Sequence, residues 1–135
     1  RRFRQLGCAG VDLLAYRAAD AQPLDLVPAA RRGTDGYLLG TPANFGYMSG
    51  ALKHFFDTVY YPCLDATRGR PWGLWVHGNN EVDGAALAVQ RIVTGLGWSA
   101  VRPPVLVVGS PTVDASERLW ELGAVTTAAV LESCS

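Results

Sequence analysis

The sequence predicts an α/β fold in which helices connect the strands of one parallel sheet. Short apolar segments alternate with segments whose apolar residues recur at helical spacing, an alternation typical of βαβ units. The apolar segments are continuous, as expected of strands buried on both faces, and cover residues 11–16, 35–40, 72–77 and 105–108. With 135 residues the chain has the size of one domain with a single core.

The first predicted helices precede and follow the second strand. Residues 1–6 have the pattern of a helix end that Gly7 stops, and residues 28–32 predict a brief helix that begins at a proline. Ser49 is the predicted N-cap of a longer helix that ends at residues 60–62. The apolar residues of this helix fall on one face and are Leu52, Phe55, Phe56 and Val59.

Two more helices are predicted in the second half of the chain. Asp83 is the expected cap of the first, which Gly95 and Gly97 stop. Its inward residues are Ala85, Val89, Ile92 and Leu96. Asp114 and Glu117 have the spacing of a capping box and predict the start of a last helix that runs to the end of the chain.

Composition excludes several classes of function. Twelve basic residues balance twelve acidic ones, so the chain lacks the positive field with which proteins attract nucleic acid. No apolar run reaches the roughly 18 residues of a membrane span, and no membrane insertion is expected. The three cysteines are widely spaced without a CxxC pair, which argues against disulfides and zinc and favours the cytoplasm. Eleven of the twelve basic residues are arginine, as in proteins from GC-rich bacterial genomes.

The most informative segment is DGYLLGTPANFGYMSGALKHFFD, residues 35–57. It resembles the strand, flavin loop and helix of flavodoxin-like NAD(P)H-dependent FMN reductases and quinone reductases. In that family a strand ends in Gly, followed by Ser/Thr-Pro, an aromatic-Gly step, and Ser-Gly before a helix with Lys and Asp. The matching positions here are Gly40, Thr41, Pro42, Phe45, Gly46, Ser49, Gly50, Lys53 and Asp57.

The chemistry of this loop suits a flavin. Pro42 stiffens the loop, Phe45 offers an apolar face, and Gly46 lets backbone N–H groups approach the ring edge, where charge develops on reduction. The resemblance implies FMN as cofactor and NAD(P)H as co-substrate, with the ring held by residues Thr41, Pro42, Ala43, Asn44, Phe45 and Gly46. The alternative is an ordinary loop in which Phe45 fills the core.

A second loop, WVHGNNEVDGA at residues 75–85, is similar to the family's glycine-containing loop after the fourth strand. By resemblance His77, Gly78 and Asn79 face the pyrimidine end of the ring, and His77 donates a hydrogen bond toward it. The equal alternative is a strand-end histidine bonded to a neighbouring carbonyl. His54 is interpreted as a solvated or packing residue, and the third loop, residues 109–114, as a connection.

Missing motifs separate this chain from other proteins of similar architecture. The sequence has no GxGxxG after a strand and no Gly-rich Lys-Ser/Thr loop, which excludes dinucleotide-binding Rossmann domains and nucleoside triphosphatases. The predicted strand ends lack the Asp and Lys of a phosphoacceptor receiver domain. No catalytic triad or carboxylate pair is indicated, and hydride transfer to a flavin requires none.

The resemblance implies a three-layer flavodoxin-like sandwich with strand order 2-1-3-4-5. The sequence offers no candidate for strand 1 or for the phosphate loop, so residues 1–135 are expected to be an N-terminally incomplete domain that lacks roughly 20 preceding residues. Strand 1 would separate residues 11–16 from residues 37–40. These two strands are therefore expected to run parallel about 10 Å apart.

The leading hypothesis is an oxidoreductase that passes hydride from NAD(P)H through FMN to a quinone or similar small-molecule acceptor. One alternative is a flavodoxin-type electron carrier, although such carriers are acidic and this chain has a pI near 6.9. Another is a binding module that has lost its cofactor. The sequence also allows a homodimer or homotetramer, because Tyr60, Tyr61 and Trp72 are candidates for an exposed aromatic patch through which copies of the chain could associate.

Overall fold

A computed structural model describes residues 23–133 of the chain. The helix end predicted at residues 1–6 and the strand predicted at residues 11–16 lie outside the described residues. In chain order the elements are α1 (Pro23–Arg31), β1 (Tyr37–Pro42), α2 (Gly50–Cys63), β2 (Pro71–Gly78), α3 (Val82–Leu96), β3 (Ser99–Ala100), β4 (Val105–Val108) and α4 (Val113–Ser133).

The strands form one parallel sheet with β2 at its centre. β1 pairs with β2 along its whole length, from Tyr37 opposite Trp72 to Pro42 opposite His77. On its other side β2 pairs first with β3 and then with β4. The predicted α/β fold with a parallel sheet is therefore confirmed. Within residues 23–133 β1 pairs only with β2, and the predicted spacing between β1 and residues 11–16 involves a segment outside the described residues.

β3 and β4 are two pieces of one strand position. Both run beside β2, and the residues between them include Pro103 and Pro104. Proline has no N–H to donate to a sheet, so the pairing stops there and resumes at Val105. The predicted strand at residues 105–108 has the observed bounds, whereas β3 was not predicted.

Helices cover both faces of the sheet. α2 and α3 pack on one face, where Phe56, Val59 and Val89 form a continuous core with Leu74 and Val76 of β2. α4 lies on the opposite face, where Leu122 and Ala115 pack with Val105 and Val107. These two cores give the three layers of the predicted sandwich. No helix within residues 23–133 is long and apolar enough to cross a membrane.

An arginine organises the amino edge of the sheet. Arg70 donates to the carbonyl oxygens of Thr34 and Ala30 and to the hydroxyl oxygen of Tyr37. The Tyr37 ring stacks on Trp98 with centroids 3.7 Å apart. Burial raises the pKa of Tyr37, and the neighbouring Arg70 partly opposes that rise. The tyrosine therefore stays neutral and joins α1, β1 and β2 at the edge opposite the predicted site.

Three predicted helix starts were misplaced. α1 is described from Pro23 onward, so Pro28 lies inside the helix and does not begin it. α3 begins after Glu81, whose backbone is left-handed, so Asp83 lies in the first turn and does not cap it. α4 is capped by Thr112, whose hydroxyl oxygen accepts from the N–H of Ala115.

The predicted aromatic patch does not exist as a unit. Trp72 is buried with 5% of its surface exposed, because it lies on the core side of β2. Tyr61 is 80% exposed on α2, and the half-buried Tyr60 packs edge-on against it. An oligomer would have Tyr61 alone of the three aromatic residues freely available for contact.

The central strand provides a direct test of the core. Leu74→Ala should lower the free energy of unfolding by about 2 to 5 kcal/mol, because it opens a cavity between β2 and the helices. Leu87→Ala is the matched control, since Leu87 is 47% exposed on α3 and should cost less than about 0.5 kcal/mol. Urea unfolding followed by circular dichroism measures both changes. Equal losses for the two variants would contradict the assigned core.

Candidate functional site at the carboxyl edge of the sheet

The paired ends of β1 and β2 bring the two predicted loops together. Pro42 and His77 are opposite each other at the carboxyl edge, and the N–H of Ala43 continues the ladder by donating to the carbonyl of His77 at 3.1 Å. Ala43 also lies against Gly78, where an added Cβ would stand 2.9 Å from the Ala43 methyl group. The segments that contain Thr41–Gly46 and His77–Asn79 are therefore neighbours at the edge where ligands bind in parallel sheets.

Residues 43–47, here named the ring loop, form a tight two-residue turn. Asn44 and Tyr47 exchange backbone hydrogen bonds of 2.8 and 2.9 Å. The two residues between them have positive φ angles, 52° for Phe45 and 71° for Gly46, as a type I′ turn requires. Glycine adopts that conformation freely, but a phenylalanine does not, so Phe45 holds strained backbone at the tip of the loop.

Phe45 points away from the protein. Its side chain is fully exposed, at 103% of the reference surface, so the alternative in which it fills the core is wrong. Met48, only 2% exposed, takes the buried position that follows the loop. A large apolar ring that is both strained and solvated contributes nothing to the core and is available to a ligand.

The ring loop presents free backbone donors. Neither the N–H of Phe45 nor that of Gly46 has a hydrogen-bond partner among residues 23–133. Both belong to the tip of the turn, beside the exposed Phe45 ring. The sequence predicts N–H groups beside an apolar face as donors to a flavin edge, and the use of this loop by a flavin stays a prediction.

A buried threonine anchors the ring loop. Thr41 is 1% exposed; its hydroxyl donates to the carbonyl of Pro42 and accepts from the N–H of Ser49 at 2.9 Å. Ser49 in turn caps α2 as predicted, since its hydroxyl oxygen accepts from the N–H of Leu52. Thr41 is therefore a support of the loop and has no direct access to a ligand.

The predicted ion pair of α2 lies on the solvent side of that helix. Lys53 donates to Asp57 at 2.6 Å, and this hydrogen bond raises the pKa of Lys53. Both side chains are exposed, as is His54, which was predicted to be solvated or packed.

His77 follows the second of its two predicted alternatives. Its Nε2 lies 2.6 Å from the carbonyl oxygen of Gly109, so this nitrogen carries the proton and donates to the third loop. In the neutral ring Nδ1 then has no proton to donate to a ligand. The N–H of Gly109 also donates to the carbonyl of Gly78. Residues 109–114 are thus bonded to the second loop and are more than the connection that the sequence suggested.

Glu81 is a neighbour of the ring loop that sequence reasoning missed. A Cβ on Gly46 would point at this glutamate, 3.3 Å from its Oε2. The positive φ of Gly46 and this contact both favour glycine at position 46. The only signal in the sequence is the glycine itself, since nothing in the pattern NNEVD indicates a left-handed glutamate.

A depression of about 520 Å³ lies at the amino edge between β3 and the end of α4, and its lining includes Gly69, Ser99 and Val125. Within residues 23–133 no three His, Cys, Asp or Glu side chains are grouped to hold a metal ion. Pro42, Asn44 and Asn79 are exposed at the carboxyl edge, where the sequence predicted them to be.

The arrangement matches proteins of known structure. No protein-family model and no curated protein sequence match the chain. The Flv1 flavodiiron core from Synechocystis sp. PCC6803 matches 92% of the chain with a TM-score of 0.77 and 16% identity. A flavodoxin variant from Pseudomonas aeruginosa matches 73% with a TM-score of 0.60 and 21% identity. An NADH:FMN oxidoreductase in its apo form matches 86% with a TM-score of 0.61 and 17% identity.

These matches show a flavodoxin-like fold. The chain spans 30% of the Flv1 core, 71% of the flavodoxin and 69% of the NADH:FMN oxidoreductase. The predicted fold class is confirmed by both the sheet and the matches. The three proteins differ in what they do, so the fold leaves the activity to be argued from the loops.

The anchoring of the ring loop can be tested without a ligand. Thr41→Val keeps the shape of the side chain but removes the hydroxyl that Ser49 and Pro42 contact. It should lower the free energy of unfolding by about 1 to 3 kcal/mol and speed amide exchange at Ser49. Thr58→Val is the control, because the Thr58 hydroxyl bonds only within α2, to the carbonyl of His54. Unchanged exchange at Ser49 in Thr41→Val would contradict the anchor.

Proposed function

We propose that this protein is an FMN-dependent oxidoreductase that transfers reducing equivalents from NAD(P)H to a quinone or a similar small acceptor. The observation that carries the proposal is the tip of the ring loop. Phe45 is fully exposed in a strained conformation, and two unbonded N–H groups accompany it at the carboxyl edge of a flavodoxin-like sheet. Strain without a gain in packing is characteristic of residues kept for binding.

The residues of the loops fit a flavin ring. The N–H groups of Phe45 and Gly46 would donate to its polar edge, Phe45 would contact an apolar part, and the exposed amide of Asn79 would contact the pyrimidine end. When bound, FMN supplies hydride acceptance from NAD(P)H and delivery of two electrons to the acceptor. The protein contributes orientation and donors where negative charge develops, with no acid–base residue required.

The charge of the chain favours a reductase over an electron carrier. The sequence has no net charge, whereas a carrier that docks on basic protein partners benefits from an acidic surface. Flavodoxins and oxidoreductases are both among the proteins of similar fold, so the fold does not choose between them. A module without cofactor would have no use for the strained, exposed Phe45.

We also propose a cytoplasmic protein that acts on small molecules, as a homodimer or homotetramer, with no nucleic acid partner and no membrane insertion. The balanced charge supports the absence of a nucleic acid partner. Cys63 is a free thiol, buried in the core, and burial raises its pKa. A protonated, inaccessible thiol is compatible with a reducing compartment.

The activity can be tested with purified full-length protein. We expect added FMN to bind, its absorption band to bleach with NADH or NADPH under anaerobic conditions, and the colour to return with a quinone. Bleaching only by a partner reductase would identify an electron carrier. Colourless protein that rejects FMN would identify a binding module, and either result would overturn the proposal.

The variant Phe45→Asn tests separately how Phe45 affects stability, through its strained backbone, and how it affects FMN binding, through its aromatic ring. Asn-Gly is the preferred pair for a type I′ turn, and the exposed ring loses no burial. The variant should therefore raise the free energy of unfolding by about 0.5 to 1 kcal/mol, yet weaken FMN binding about tenfold because the aromatic face is gone. Urea unfolding and FMN fluorescence titration measure the two effects.

The control for Phe45→Asn is Tyr61→Ala, which removes another exposed aromatic ring on α2 far from the ring loop. FMN affinity should not change in that variant. Equal FMN affinity in Phe45→Asn and the unmodified protein would remove Phe45 from the binding site.

A further inference from the structure

Gly84 lies against the carbonyl of the ring loop. It is the third residue of α3, and a Cβ added there would stand 2.5 Å from the carbonyl oxygen of Gly46 and 3.4 Å from its carbonyl carbon. A real Cβ does not approach a backbone oxygen so closely. The clash could be relieved only by moving the backbone, because the neighbouring atom is not at the end of a flexible side chain. The ring loop therefore rests on α3 at a position where the helix has no side chain.

Glu81 closes the same contact from the other side. It precedes α3 with a φ of 53°, and its side chain borders the space that a Cβ of Gly46 would take, with its Oε2 at 3.3 Å and its Cβ at 3.5 Å from that position. Gly46 is thus held between the Glu81 side chain and the bare backbone at Gly84. Two residues with left-handed backbone, Phe45 and Glu81, flank this contact.

The requirements of the helix do not explain a glycine at position 84. Its φ is not positive, and inside a helix glycine is less favourable than alanine. Gly123 of α4 shows the contrast, because a Cβ there would meet nothing within 4 Å. Glycine at position 84 allows the Gly46 carbonyl to lie close to the backbone of α3.

We propose that Gly84 is a positioning residue for the cofactor site, a role that rests on the proposed function. The Gly46 carbonyl shares its peptide plane with the N–H of Tyr47, which donates to the carbonyl of Asn44 and closes the turn. By seating that carbonyl on α3, Gly84 fixes the position of the turn that presents the free N–H groups of Phe45 and Gly46. The first turn of α3 therefore determines where the donors to the flavin edge point.

The test compares Gly84→Ala with the control Gly123→Ala. Both replace a helical glycine by alanine, and Gly123→Ala should raise Tm by a few degrees and leave the ring loop unchanged. In Gly84→Ala the added methyl should displace Gly46. Amide exchange at Asn44 and Tyr47, measured by NMR on the protein without FMN, should become about tenfold faster or more.

With FMN added, Gly84→Ala should weaken binding about tenfold and shift the midpoint potential of the bound flavin to more negative values. The negative shift is expected because negative charge develops on the reduced ring, so the loss of well-directed N–H donors destabilises the reduced flavin more than the oxidised flavin. A residue that only supports the fold would lower Tm without moving the potential of the flavin that remains bound.

If Gly84→Ala fails to fold, the variant Glu81→Asn provides a second test of the contact between the ring loop and α3. Asparagine accepts the left-handed backbone of this position, and its shorter side chain withdraws from Gly46. It should speed exchange at Tyr47 while Tm stays within a few degrees of the unmodified protein.

Unchanged exchange at Asn44 and Tyr47 in folded Gly84→Ala would overturn the role of Gly84. So would unchanged exchange at Tyr47 in Glu81→Asn if Gly84→Ala does not fold. Failure of the unmodified protein to bind FMN would overturn the proposed function instead, and the exchange measurements would still decide whether Gly84 positions the loop.

Discussion

The in-register pairing of β1 with β2 is the constraint on which the site depends. Because the strands are parallel and end together at Pro42 and His77, their loops must leave the sheet at the same edge. The hydrogen bond from Ala43 to His77 extends that register into the loops. A shift of one residue would turn Thr41 outward and remove the anchor of the ring loop.

The rim of the site is joined at several points beyond this pairing. His77 and Gly78 bond to Gly109, and Gly46 rests on the first turn of α3. Three consecutive loops are thus tied to one another by contacts that involve backbone atoms. Such a rim is organised before a ligand arrives, so binding loses little conformational entropy.

The fold could be predicted further than the site. Apolar periodicity located β1, β2, β4 and the bodies of the helices, because burial on one or both faces controls it. It misplaced the start of α3, because that helix follows Glu81, whose left-handed backbone the apolar pattern does not indicate. Sequence located the ring loop through its Pro, Phe and Gly residues, but the exposure of Phe45 and the bond from His77 to Gly109 depend on neighbours that no local pattern specifies.

The break between β3 and β4 has a consequence for the behaviour of the molecule in concentrated solution. In the described part of the chain this position is one of the two edges of the sheet, opposite β1, and an unbroken edge strand can recruit a strand from another molecule. Pro103 and Pro104 interrupt the row of backbone donors, and the pieces on either side are only two and four residues long. The far edge is thereby protected against intermolecular β-sheet growth and the aggregation that follows from it.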